Sequence, residues 1–149
     1  MNYLMLVFRL IHILAGVFWV GATLTTGFYL RANTDTAART RLATTMTIAG
    51  ILNVLAGYAM YWLDSDGFRS AWMHSGPGIG FAIGGAFGLI GLILRVLANR
   101  NMKMLSNRRN EQSQSLDALE RRLARLDVFN VWALIIAVLF MATARYLVF

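Results

Sequence analysis

The sequence contains no cysteine, only one proline and few charged residues. Charged residues make up 14% of its 149 positions, whereas apolar residues make up 58%. Soluble domains carry about 25% charged residues. Without cysteine, these residues cannot form a disulfide, a thiolate metal site or a thiol redox pair. The scarcity of charge argues against an ordinary soluble domain.

The charge that is present is confined to short segments. The seven acidic residues lie in or beside four short polar stretches, and the net charge is +7. The basic residues cluster at the ends of apolar runs, which is the pattern that orients membrane proteins. We therefore expect no nucleic-acid binding. The predicted partner is the lipid bilayer, with the basic connections attracted to anionic lipid.

Four apolar runs are long enough to cross a membrane. A hydrocarbon core of about 30 Å requires about 20 apolar residues in a helix. The sequence predicts a single all-α domain over residues 1–149, an antiparallel bundle of four transmembrane helices. A short amphipathic helix, with Ser115 as its N-cap, is predicted at the interface before the last span. The predicted spans are residues 4–30, 42–63, 79–97 and 128–148.

Basic residues are unequally divided between the two sides of the predicted bundle. Connections rich in Lys and Arg lie in the cytoplasm. The sequence therefore predicts a multi-pass protein of the bacterial inner (plasma) membrane, with both termini and the Asp64–Gly78 connection extracytoplasmic. Arg9, Arg69 and Arg145 lie on that side. The cytoplasmic set comprises Arg31, Arg39, Arg41, Arg95, Arg100, Lys103, Arg108, Arg109, Arg121, Arg122 and Arg125.

The third predicted span carries glycines on one helix face. Gly80, Gly84 and Gly88 are four residues apart, and Gly91 follows one turn later. Small residues at this spacing let two membrane helices approach closely. The favoured interpretation is packing within the bundle. Room for a flat cofactor ring and a homodimer contact are the alternatives.

Two polar residues interrupt the first apolar run near its start. A polar residue inside a membrane span is a functional hypothesis by default. His12 is a candidate axial ligand of a haem b. Arg9, three residues earlier on the same face, could then pair with the propionates. Alternatively, His12 hydrogen-bonds a neighbouring helix and Arg9 extends to lipid headgroups.

Other polar residues within the runs are expected to have structural roles. Asn53 and Asn130 are predicted to form hydrogen bonds between helices. Arg145, near the end of the last span, is predicted to pair with Asp64 or Asp66.

The first span carries a short motif, His12 followed by Trp19 and Gly21. It resembles the first-helix signature of a superfamily that includes copper-resistance D proteins, the membrane domain of cytochrome-linked urate oxidases and the four-helix haem-binding protoporphyrinogen oxidases. Residues 61–72 and 76–78 look like predicted integral membrane proteins of the same group. The resemblance extends to about residue 95. It implies a four-helix bundle in which His12 binds haem b and Trp19 also has a cofactor-binding role.

The chain departs from these relatives in two respects. The protoporphyrinogen oxidases use a lysine within the membrane, whereas the only lysine here is Lys103, in a predicted cytoplasmic connection. This favours a protein that is not an enzyme on its own. Copper proteins use clusters of Met and His, and Met60, Met73 and His74 form no spaced motif. His74 is either a second ligand beside His12 or a solvated histidine.

The predicted function is that of a haem-b-associated membrane protein with an electron-transfer or redox-accessory role. The main alternative is an accessory or scaffold subunit without a cofactor, within a larger respiratory or redox membrane complex or a homo-oligomer. Copper transport or tolerance is the third. No paired carboxylates and no nucleophile–base pair are evident, so hydrolase chemistry is not expected.

Overall fold

A computed structural model of the protein describes residues 3–28, 36–107 and 113–146. Within these ranges the chain is almost entirely helical. A 3₁₀ turn, Ala144–Tyr146, follows the last helix. The helices are α1 (Tyr3–Phe28), α2 (Thr36–Asp64), α3 (Ser70–Met73), α4 (Gly76–Asn107) and α5 (Ser113–Thr143).

Four of these helices are long and apolar enough to cross a membrane. In hydrocarbon a backbone must satisfy its own amides, which a helix does internally. The prediction of an all-α bundle with four spans is confirmed, and the chain is a multi-pass membrane protein. The spanning segments are Tyr3–Thr26, Arg41–Asp64, Gly76–Asn101 and Arg121–Thr143.

Three helices extend further than hydropathy predicts. The helix α2 begins at Thr36 instead of residue 42, and α4 continues to Asn107 instead of residue 97. The amphipathic segment predicted before the last span is the first part of α5, which is continuous from Ser113. Neither glycine nor proline occurs in α5 or in the last part of α4, so nothing ends these helices at the bilayer boundary.

The spanning helices form a ring in the order α1, α2, α4, α5. The helix α4 packs most extensively against α5, and α1 against α2, whereas α1 and α5 contact each other least. We call the end that carries residues 64–78 the turn end. The opposite end, where Arg41, Arg100 and Arg121 are exposed, is the basic end.

Glycines bring α1 and α2 together along one seam. A methyl group on Gly57 would lie 2.9 Å from Cε1 of His12, and one on Gly16 would lie 2.9 Å from Oδ1 of Asn53. Gly50 is likewise only 3.0 Å, by the same measure, from the ring of Trp19. Each glycine therefore accommodates a larger side chain of the facing helix.

Glycines of α4 divide between two environments. A methyl group on Gly84 would lie 2.7 Å from Cγ of Met141, and one on Gly91 would lie 2.9 Å from Cδ2 of Leu134, so both positions face α5. Gly88 differs, because the same group would meet nothing within 4 Å. Gly80 is buried. On α4, Gly84 and Gly91 therefore allow close packing against α5, whereas Gly88 borders open space.

The connection between α2 and α4 is a compact turn. Asp66, Gly67 and Phe68 adopt left-handed backbone angles, a conformation that glycine adopts without strain. Ser75 caps α4, since its Oγ accepts a hydrogen bond from the Gly78 amide at 3.3 Å. Pro77 lies in the first turn of α4, where the sequence predicts the start of a helix.

Candidate functional site

A cavity of about 740 Å³ opens among the four spanning helices at the turn end. Pockets for small molecules and cofactors typically measure about 300–1,000 Å³. All four spanning helices contribute to its lining, and so does the turn through Phe68. This cavity contains two of the predicted site residues, His12 and Arg9.

The polar groups of the cavity come from α1 and α2. Arg9 and His12 lie on α1, and Asn53 and Asp64 lie on α2. Arg9 and Asp64 are exposed, whereas His12 and Asn53 are partly buried. The charged side chains of Arg9 and Asp64 therefore lie at the mouth of the cavity, whereas the imidazole of His12 and the amide of Asn53 lie deeper.

The wall opposite is formed by small residues of α4. Ala82, Gly85, Ala86 and Gly88 line the cavity. A methyl group on Gly85 or Gly88 would meet nothing within 4 Å, so the wall is flat and faces open space. Ala82, Gly85 and Ala86 are also exposed, which means that the cavity is open on one side.

The imidazole of His12 is held in one tautomer. Its Nδ1 lies 2.9 Å from the backbone carbonyl oxygen of Asn53. A carbonyl can only accept, so Nδ1 carries a proton and donates the hydrogen bond, and in the neutral ring Nε2 is then the nitrogen with the lone pair. The hydrogen bond to a neighbouring helix, the alternative to ligation in the sequence, is therefore present. It uses only one of the two ring nitrogens.

Asn53 supports His12 through its backbone, not its side chain. Among the described residues, its Oδ1 is buried without a hydrogen-bond partner. The predicted hydrogen bond between Asn53 and another helix is therefore present, but it is made by the backbone carbonyl and not by Oδ1. The main chain contacts His12 because Gly57 and Gly16 let α1 and α2 approach so closely.

Substitution of Gly57 by alanine tests this seam. The new methyl group would overlap the His12 ring at 2.9 Å, and overpacking costs about 1–3 kcal/mol. We expect Gly57→Ala to lower the stability of the detergent-solubilised protein by this amount. Gly21→Ala is the matched control, since its methyl group meets nothing within 4 Å. Equal thermal stability of the two variants would contradict the described seam.

The other histidine lies away from the cavity. His74 is exposed, and its Nδ1 donates to the carbonyl of Ser70 at 2.8 Å. Neither His74 nor Met73 lines the cavity, so the structure does not bring them together with His12. Trp19 is also outside the lining. It is fully buried in the core with Met46 and Leu134.

Two methionines contribute thioethers to the cavity. Met60 comes from α2 and Met141 from α5. Sequence reasoning considered Met60 but missed Met141, whose position depends on its packing against Gly84. The four-residue glycine spacing on α4 predicts a close neighbour there, but the register of α5 that identifies it is not readable from one sequence.

A buried ion pair near the basic end was also missed. Arg95 Nη1 on α4 lies 3.7 Å from Oδ1 of Asp127 on α5, and their side chains are 4% and 18% exposed. Arg95, which the sequence places among the basic residues that flank a cytoplasmic connection, has its side chain buried in the bundle, and its side of the membrane stays a prediction. Its side chain turns into the bundle towards Asp127, because burial without a partner would be costly. The excess of basic residues at that end remains.

Buried polar atoms accompany this ion pair. Among the described residues, both side-chain polar atoms of Asn130 lack a hydrogen-bond partner, as do Nε1 of Trp19, Oγ1 of Thr23 and Oδ1 of Asn99. Leaving such an atom unsatisfied costs about 1–3 kcal/mol. The prediction that Asn130 hydrogen-bonds another helix is wrong, and the burial of these polar atoms requires a different explanation.

Asp66 at the turn pairs with Arg69. The predicted partner Arg145 has a side chain outside the described part of the structure, so that ion pair stays a prediction. Within the described ranges, no group of three or more His, Asp or Glu side chains could hold a metal ion.

These features define a class: a multi-pass helical membrane protein with a partly polar cavity in one half of its bundle. Comparisons with protein-family models, with curated proteins and with solved structures find no match. The function must therefore be argued from the cavity itself.

Proposed function

We propose that the protein binds haem b in the cavity and has an electron-transfer or redox-accessory role in the bacterial inner membrane. The observation that carries this proposal is the state of His12. Its Nδ1 is committed to the Asn53 carbonyl, and Nε2 remains available in a cavity of about 740 Å³. Histidines that bind a metal typically donate a hydrogen bond from their other ring nitrogen in this way.

The residues present fit a haem in three respects. The wall of α4 is open at Gly85 and Gly88, where a methyl group would meet nothing within 4 Å, as a flat ring requires. The thioethers of Met60 and Met141 line the cavity and could serve as a second ligand, because haem proteins use His and Met together. A haem b needs no covalent attachment, so the absence of cysteine is compatible.

Arg9 completes the arrangement. It lines the cavity and is exposed at the turn end, where it would pair with the propionates. When bound, haem would supply one-electron transfer between its two iron states. The chain's own contribution is to orient His12 through the Nδ1 hydrogen bond and to surround the ring with apolar side chains.

The proposal includes membership of the superfamily that shares the His12, Trp19 and Gly21 motif. It also includes an orientation with the turn end extracytoplasmic, supported by the exposed basic residues Arg41, Arg100 and Lys103 at the other end. The protoporphyrinogen oxidases use a lysine within the membrane, whereas Lys103 lies at this end and does not line the cavity. This difference supports a protein that is not an enzyme on its own.

An absorption spectrum of the detergent-purified protein, oxidised and then reduced with dithionite, tests the proposal. We expect a Soret band and, on reduction, the sharp visible bands of a b-type haem, with about one haem per chain. A protein that shows no Soret band after expression with ample haem would refute it.

Filling the cavity should displace the ring. A methyl group at Gly88 would meet nothing within 4 Å in the cavity, so Gly88→Leu should fold but bind haem about 10–100-fold more weakly. This follows because overpacking costs about 1–3 kcal/mol and each 1.4 kcal/mol is tenfold in affinity. Gly21 is exposed outside the cavity, and a methyl group there would meet nothing within 4 Å. Gly21→Leu should therefore leave the haem affinity unchanged, as measured by haem titration. Equal affinities would contradict this placement.

A second candidate function, an accessory subunit of a larger membrane complex or of a homo-oligomer, has one supporting observation. Only 6% of the apolar window of α1 is buried, against 28% for each other span. Because the chain lacks cysteine, a single cysteine at exposed Leu14 can be cross-linked in native membranes. Capture of a discrete partner band would favour this role, whereas labelling by lipid probes alone would oppose it.

Copper transport or tolerance stays a prediction. Met60 lines the cavity, whereas Met73 and His74 are exposed outside it. These three side chains therefore do not share the cavity.

A further inference from the structure

A second polar region lies between the middle of the bundle and the basic end, separate from the cavity. None of its residues lines the cavity. Three helices, α1, α4 and α5, contribute to it, and most of its members are less than one-tenth exposed. The members of this inner polar site are Trp19, Thr23, Arg95, Asn99, Asp127 and Asn130.

Helix packing brings these side chains to neighbouring levels. Arg95 pairs with Asp127 between α4 and α5. One turn nearer the middle, a methyl group on Gly91 would lie 3.2 Å from Oδ1 of Asn130, so Asn130 faces α4 there. Leu134, one turn further along α5, packs with Trp19 in the core.

The remaining members follow from helix geometry. Thr23 lies one turn beyond Trp19 on α1, and Asn99 lies one turn beyond Arg95 on α4. Both steps run towards the basic end, each of about 6 Å. The site thus extends from the level of Trp19 towards the aqueous phase at the basic end.

The hydroxyl of Thr23 behaves differently from other hydroxyls in the bundle. Threonines in membrane helices can donate to the carbonyl four residues earlier, and five described threonines do so. Thr23 is buried, and its Oγ1 has no hydrogen-bond partner among the described residues. The five are Thr25, Thr26, Thr45, Thr47 and Thr143.

The unsatisfied atoms include both donors and acceptors. The indole N–H of Trp19 can only donate, Oδ1 of Asn99 can only accept, and Asn130 can do both. A bound cation would use only the acceptors and would be repelled by Arg95. A bound anion would use only the donors and would be repelled by Asp127. Water satisfies both kinds of group and binds where two to four polar partners converge.

We infer that the inner polar site binds a group of water molecules that connects the basic end to the level of Trp19. Protons exchange along this water between the aqueous phase and the middle of the bundle. Along α1, Trp19 lies between this water and the cavity, because Asn53, which lines the cavity, faces Gly16, about one turn nearer the turn end. This inference does not depend on a haem.

Exchange of the Trp19 indole proton with D₂O tests the inference. The protein has four tryptophans, so ¹⁵N-indole labelling gives four NMR signals, assigned by single Trp→Phe changes. We expect the Trp19 proton to exchange as fast as those of Trp62 and Trp72 at the turn end. Trp132, exposed on the apolar face of α5, should be protected in lipid nanodiscs.

Removing the polar groups should slow this exchange. We expect Thr23→Val combined with Asn130→Leu to slow Trp19 exchange at least about tenfold, since a dry, buried site exchanges only when the protein opens. Thr25→Val is the matched control, because Thr25 is exposed and bonded to Gly21. It should leave Trp19 exchange unchanged.

Two outcomes would overturn the inference. The first is a Trp19 proton as protected as that of Trp132. The second is Trp19 exchange that the combined variant does not slow. If that variant does not fold, magnetisation transfer from water to the Trp19 indole in the unmodified protein decides the question: transfer supports bound water, and its absence refutes it.

Discussion

Replacing His12 with alanine should abolish haem binding. His12 is the one histidine in the cavity, and its Nε2 is available because Nδ1 donates to the Asn53 carbonyl. Loss of an outer-shell partner alone costs about 10–100-fold in metal affinity, so loss of the ligand should cost about 100-fold or more. We expect the purified variant to lack the Soret band. Haem titration of the refolded or freshly solubilised variant measures the remaining affinity.

His74→Ala is the control for this experiment. His74 is exposed and hydrogen-bonded to the carbonyl of Ser70, so its loss should leave the Soret band intact. Added imidazole should restore the band in the His12 variant, because the cavity then holds the missing ring. A Soret band that survives His12→Ala, or one that disappears in the His74 variant, would contradict the assignment of the ligand.

Replacing Asp127 with asparagine should be the most destabilising of the changes near the basic end. It removes the charge that faces the buried Arg95 guanidinium at 3.7 Å. Breaking a buried ion pair by removing one partner costs about 3–5 kcal/mol. We expect a loss of this size in unfolding by SDS titration, followed by circular dichroism.

The double variant Arg95→Met with Asp127→Leu gives the matched comparison. Replacing both members of a buried pair with apolar side chains is often neutral or stabilising, so most of the lost stability should return. A double variant that is less stable than Asp127→Asn would show that the pair is not the source of the effect.

The spans were predictable because hydrocarbon imposes a simple requirement. A run such as residues 128–148 must be a helix if it is to satisfy its amides in lipid, and α5 contains most of it. The helix ends were less predictable. Hydropathy detects where a helix leaves the bilayer, whereas α4 continues to Asn107 because its sequence still favours a helix.

The site was only partly predictable, and the reason is register. His12 could be recognised because a polar residue inside an apolar run requires an explanation. Which residues face it depends on how α1 and α2 slide past each other, and Gly16 and Gly57 determine that contact. The same limitation hid Met141 from the cavity and led to the wrong expectation for Asn130.

The assignment of His12 Nε2 as an axial ligand is tested most directly by pulsed electron–nuclear double resonance. The chain has two histidines, so protein labelled with ¹⁵N-histidine gives a simple spectrum in the oxidised state. We predict one strongly coupled imidazole nitrogen, lost in His12→Ala and retained in His74→Ala. Two strongly coupled imidazoles, or a coupling that survives without His12, would contradict it.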